Sequence, residues 1–222
     1  MAAFYVQRLH PLLRMDRHFR AGSESDSQGM LLRQGSLDKA CGLYCLVMAL
    51  VLLGEVSRDE AVRLIHSRQV ALKRLRRWTE SVFTGGMSED DLVEAVTATT
   101  LNLDVTRGES GVHRACLAHA IQGLQAGKVV ALGIASRSWS FHHWILGVGF
   151  EGVEEARIFR SQAILCLDSD SRAWPHSGFN ARLSLTVPRP GARYLRYSSS
   201  HTPRSLVTVS NSVVLSRRRF HE

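Results

Sequence analysis

Residues 43–53 read LYCLVMALVLL, eleven positions without a charge. A helix that is apolar on every side has no face to show to water, so it must be covered on most of them. Eleven residues rise only about 16 Å as a helix, far short of a bilayer core. The segment is therefore expected to be a central buried helix. It begins near Ala40–Gly42, runs to Leu53 and stops at Gly54. A chain of 222 residues is long enough to supply its cover as one domain with extensions.

What surrounds that helix changes character along the chain. Residues 21–29, AGSESDSQG, read as a linker after an N-terminal extension of mixed pattern. Ser57 and Glu60 form a capping box that opens a second helix, and Ser88 caps a third with acids in its first turn. A fourth helix is expected over 112–126. Beyond it the apolar runs take strand patterns: 128–136, 144–151 and 163–168, then ARLSLTV, ARYLRYS and SLVTVSNSVVLS. Helices first and strands later give an α+β order, a helical layer packed on an antiparallel sheet. The expected domain spans residues 30–185. Residues 1–29 form an extension and linker, and residues 186–222 a β-rich extension packed on the same domain.

Charge and cysteine content narrow the function classes. The net charge of +8 favours acidic partners, including an acidic protein. Arg68, Lys73, Arg74, Arg76 and Arg77 lie within 68–78, and the tail holds Arg217, Arg218 and Arg219. Such runs are usually solvated faces, and no nucleic-acid motif accompanies them, so nucleic acid is the weaker partner reading. The four cysteines, Cys41, Cys45, Cys116 and Cys166, match neither a disulfide framework nor a zinc spacing. They read as reduced thiols in a cytoplasmic protein, and no metal or cofactor is expected. The arginine-rich N-terminus has no long apolar core, so neither a secretory leader nor a membrane span is expected.

Cys41 carries the chemical question. It stands at the head of the apolar helix, where unpaired backbone N–H groups and the helix dipole favour a negative charge. Cys45, one turn on, lies within the apolar stretch and reads as structural. A nucleophile needs a base. His142 and His143 stand just ahead of the strand WILGVGFE, and strand alternation allows only one of them to face a site. An orienting carboxylate is offered by Asp168 at the end of AILCLD, with Asp170 as the second choice. Gln34, seven residues before Cys41, could donate a side-chain amide N–H to a developing oxyanion, beside the Cys41 backbone N–H.

The order Gln34, Cys41-Gly42, His143-Trp144-Ile145-Leu146 and Asp168 resembles the papain-like cysteine peptidases. Most of all it resembles the leader peptidases of bacteriocin transporters, which cleave after double-glycine leaders. The segments GGMSEDDLVEAV and LAHAIQGLQAGKVVALGI resemble that family's intervening helix, loop and strand. The likeness covers roughly residues 34–170. It implies a papain-like fold and a polypeptide substrate. It assigns His143 rather than His142 as base, Asp168 as orienter and Gln34 as oxyanion donor. Three positions depart from the family: the glutamine–cysteine spacing is seven rather than six, Ala40 stands where an acid is usual, and a serine follows Asp168 where a proline is usual. No transporter region follows, which implies a free-standing bacterial peptidase, compatible with a delivered effector or a processing enzyme. The expected reaction is hydrolysis of a peptide or isopeptide bond through a thioester. A deamidase, an acyltransferase, a pseudoenzyme or a basic binding module are the alternatives.

Overall fold

The strand patterns of the second half do form strands, and they close on themselves. The computed structural model describes residues 3–15, 19–21, 28–35, 39–78, 81–82, 85–137, 142–174, 177–186, 193–202 and 204–218. In chain order the first strands are β1 (Phe4–Leu9), β2 (Leu13–Met15), β3 (Phe19–Ala21) and β4 (Gln28–Gly29). Then come α1 (Cys41–Leu52), α2 (Arg58–Val62), a 3-10 turn at Leu64–His66, α3 (Val70–Arg76) and α4 (Glu89–Thr99). After β5 (Leu103–Arg107) and α5 (His113–Gln125) follow β6 (Val129–Ser136), β7 (His142–Glu155) and β8 (Ile158–Leu167). The last strands are β9 (Ala181–Ser184), β10 (Leu195–Ser199) and β11 (Ser205–Arg217).

The hydrogen-bonded path runs β7–β6–β11–β10–β9–β8, and β8 pairs again with β7. This is a closed six-stranded antiparallel barrel. β1 extends it beside β7, β5 pairs with β11, and β2–β3–β4 form a separate small sheet. The expected α+β, papain-like layout is thereby overturned, because the molecule is mostly sheet, wrapped into a barrel, with few helices. Strand periodicity reports which residues face inward, but not which strands are edges, and closure is a matter of long-range pairing. β7 makes closure possible. Its first half pairs with β6 and its second with β1 and β8, across register shifts at Gly147/Gly149 and Glu151/Gly152. Such bulges bend a strand and raise its twist. A Cβ on Gly149 would collide with the Arg8 carbonyl, which ties that residue type to the close approach of β1.

Alternation along the barrel strands divides the core in two. Val130, Leu132 and Ile134 of β6 join inward residues of the other five barrel strands, among them Ile145, Ile164, Leu183, Tyr197 and Val209. The interleaved Val129 and Ala131, with Leu146, Val148 and Leu167, face the other way and pack on α1. All of α1 except Tyr44 is buried, against β7 and β6 on one side and the α4 residues Leu92 and Val96 on another. Each Leu or Val so covered contributes about 1.5–3 kcal/mol of burial.

The capping boxes at Ser57–Glu60 and Ser88–Asp91 are both present. The helix opened by Ser57 is shorter than its apolar pattern suggested and restarts as α3. β10 and β11, from the C-terminal segment, are barrel strands between β9 and β6. Most of the linker expected at 21–29 lies outside the described residues, as does Arg219.

Candidate active site

Two strand ends and one helix start meet at the rim of the barrel. Leu146 of β7 pairs with Leu167 of β8, so the residue after Leu167 comes level with the start of β7. That residue is Asp168, and His143 lies near the start of β7. Both are buried, at 2% and 4% exposure. His142 points the opposite way and is exposed, as alternation requires.

Asp168 is held by more bonds than any other side chain here. His143 Nε2 donates to Oδ1 at 2.6 Å, and the Asp170 backbone N–H donates to the same oxygen at 2.9 Å. The hydroxyls of Ser171 and Tyr197 donate to Oδ2 at 2.9 and 2.5 Å. Asn180 grips the main chain of the same residue: its Oδ1 accepts the Asp168 N–H at 2.7 Å, and its Nδ2 donates to the Asp168 carbonyl at 2.8 Å. Burial by itself would raise the Asp168 carboxyl. The bond and charge of His143, with the Tyr197 and Asp170 bonds, outweigh it and hold the group down at about 2.

His143 shows the complementary balance. Burial by itself lowers an imidazole, but the bonds and charges of Asp168 and Cys41 carry this one up to about 10. The Cys41 thiol is its second hydrogen-bond partner. Because Nε2 is engaged by the carboxylate, Nδ1 is the nitrogen left for sulfur. Cys41 is the first residue of α1 and 7% exposed. At that position its backbone N–H has no intrahelical acceptor.

Gly42 explains how the helix start comes so close. A Cβ there would lie 2.7 Å from Met87 Cβ and 3.0 Å from Trp144 Cδ1. Trp144, next to His143, donates its indole N–H to the Met87 carbonyl at 2.7 Å, tying the loop before α4 to the same strand. A cleft of about 640 Å³ opens beside His143, and His142, Trp144, Ser88, Glu89 and Asn211 are among the other residues that line it.

Gln34 lies at the turn after β8. Its backbone N–H donates to the Ser169 carbonyl at 3.0 Å, and its Oε1 accepts from the Ser169 hydroxyl at 2.9 Å. Thus Cys41, His143, Asp168 and Gln34, which lie far apart in the chain, gather at one rim. Asp170, the second choice for orienter, supplies only its backbone N–H to Asp168. Cys45 and Cys166 are fully buried, and burial pushes both thiols up.

Sequence reasoning missed Tyr197, Asn180 and Ser171. Tyr197 sits in an alternating strand and reads as an ordinary inward aromatic. Asn180 reads as a turn residue before β9. No local signal distinguishes either, because it is the pairing of β9 with β8 and of β10 with β9 that brings them to Asp168.

The basic run is largely engaged with its own chain. Arg74 donates to the Ala98 carbonyl and the Thr100 hydroxyl at 3.1 and 2.8 Å, and Arg77 pairs with Glu94 at 3.3 Å. In the tail, Arg217 pairs with Glu55 at 2.9 Å and Arg218 with Asp104 at 3.1 Å. Among the described residues no helix is long and apolar enough to cross a membrane. No protein-family model matches the chain, and no curated protein matches it at a significant level.

Proposed function

We propose that this protein is a cysteine hydrolase that cleaves a peptide or isopeptide bond of a polypeptide through a thioester. The observation that carries the reading is a single buried imidazole bonded through Nε2 to the Asp168 carboxylate and partnered as well by the Cys41 thiol. Asp168 keeps the proton on Nε2, so Nδ1 receives the thiol proton. The Cys41 thiolate then attacks the acyl carbon, and the carbonyl oxygen takes the charge. The Cys41 backbone N–H and the Gln34 amide are the candidate donors to that oxyanion. His143 returns its proton to the leaving nitrogen as the C–N bond breaks. Water, deprotonated by His143, hydrolyses the thioester and frees the thiol.

A thiol-alkylation experiment tests this reading without knowledge of the substrate. Iodoacetamide near neutral pH is expected to modify Cys41 well ahead of Cys45, Cys116 and Cys166, whose thiols burial pushes up. His143→Ala is expected to slow that modification by about tenfold or more, because the thiolate loses its partner cation. Modification of wild-type Cys41 no faster than that of free cysteine would overturn the reading.

A further inference from the structure

We infer that Ser169 is a positioning residue that holds the Gln34 carboxamide in place for the reacting carbonyl. The inference rests on the hydrolase reading above and adds a residue to it. A carboxamide has an acceptor end and a donor end, and only the donor end can stabilise an oxyanion. The Ser169 hydroxyl donates to Gln34 Oε1 at 2.9 Å, which takes up the acceptor end. Nε2 is left without a hydrogen-bond partner among the described residues. In the opposite orientation the hydroxyl would accept from Nε2 and the oxygen, the wrong pole, would face a developing negative charge, so the bond fixes where the carboxamide sits.

Ser169 is itself held rigidly. It is 1% exposed, and its carbonyl accepts the Gln34 backbone N–H at 3.0 Å, so the two residues are clipped twice. The preceding residue is locked by Asn180 at both its N–H and its carbonyl. One turn therefore serves both ends of the site. The Asp168 side chain orients the base, and the Ser169 side chain holds the oxyanion donor.

Two reagents separate positioning from reactivity. p-Nitrophenyl acetate acylates through an oxyanion: sulfur bonds the acetyl carbon, the carbonyl oxygen takes the charge, and p-nitrophenolate leaves as the carbonyl re-forms. Iodoacetamide alkylates by displacing iodide and forms no oxyanion. Ser169→Ala is expected to slow acylation of Cys41 by roughly 10- to 100-fold, somewhat less than deleting a donor outright, at about 10²–10³-fold. Its alkylation rate should stay within about twofold of wild type, which also reports that the Cys41–His143 pair is intact. Gln34→Ala should lose at least as much acylation, adding Ser169→Ala to it should change little, and Ser169→Thr should restore the rate. Wild-type acylation in Ser169→Ala would overturn the inference. Parallel loss of acylation and alkylation, unrescued by threonine, would overturn it too, by showing a purely structural role. Wild-type Cys41 that reacts with neither reagent faster than free cysteine overturns the hydrolase reading itself, and the role of Ser169 with it.

Discussion

Cys41 and His143 arrive at the same point from opposite environments. Cys41 comes in on α1, whose neighbours are leucine, valine and methionine, and little besides packing places it there. Apart from His143, its sulfur makes a long polar contact, 3.9 Å to the Lys39 carbonyl. His143 stands on a barrel strand whose register is set by backbone ladders. Its partner Asp168 accepts four hydrogen bonds, from His143, Asp170, Ser171 and Tyr197. Apolar contacts are non-directional and set where a group is. Hydrogen bonds are directional and set how it points and which charge it keeps. The nucleophile side thus governs proximity, and the barrel side governs orientation and charge.

The largest expected effect comes from breaking the barrel side at its centre. Asp168→Asn removes the charge that holds the proton on His143. In p-nitrophenyl acetate acylation, the rate should fall roughly 10²–10⁴-fold, as for an orienting carboxylate of a catalytic triad. The alkaline limb should move as well. In the wild type the imidazolium is lost as pH rises through about 10. Without the Asp168 bond and charge that limb falls to lower pH. An alkaline limb that stays put would mean that Asp168 does not set the charge of His143.

A paired measurement contrasts the two sides through stability. Leu46→Ala, in the fully buried middle of α1, is expected to cost about 2–5 kcal/mol in denaturant unfolding, since it opens a cavity. Its alkaline limb should not move. Asn180→Ala leaves the buried N–H of Asp168 without its partner, at about 1–3 kcal/mol, while the Asp168 carbonyl keeps the Ser171 N–H at 3.2 Å. It should reduce acylation more than alkylation, because the turn holding Ser169 and Gln34 is released. A shifted limb in Leu46→Ala, or equal losses of both reactions in Asn180→Ala, would erase the distinction.

Tyr197→Phe is the mildest change, because three bonds to Asp168 remain. The sign follows from the depressed carboxyl. Stability contributed by Asp168 is fully present above its ordinary value near 3.8 and is lost as pH falls through about 2. Without the Tyr197 bond the depression is smaller, so acid unfolding should begin at a higher pH. Far-UV circular dichroism against pH would detect it, and an unchanged acid midpoint would show that the tyrosine contributes only packing.

Much of the local structure was legible because its signals are local. The run 43–53 could only be a buried helix, Ser57 and Ser88 could cap their own helices, and 144–151 is an apolar run of strand type. The candidate residues were legible for a related reason. Cys41, His143 and Asp168 each stand at the end of an element whose type the pattern declares, and ends are where a side chain can leave the core. The layout was not legible. An α+β order suggested a helical layer on a sheet, while the pairing of β8 with both β7 and β9 made a barrel. Nothing near Tyr197 or Asn180 marks them, since their role depends on residues 29 and 12 positions away.

By itself, then, the amino-acid sequence determined which segments are helix or strand, which faces are apolar, and which groups stand at their ends. These follow from steric and hydrophobic preferences acting over a few residues. Only the tertiary structure decided that the sheet closes and that an aspartate after β8, an asparagine before β9 and a tyrosine in the middle of β10 converge. It alone decided that Gln34 is held by Ser169. Those outcomes rest on pairings between residues distant in the chain, and the free energy of such a pairing exists only once the rest of the barrel holds both partners in place.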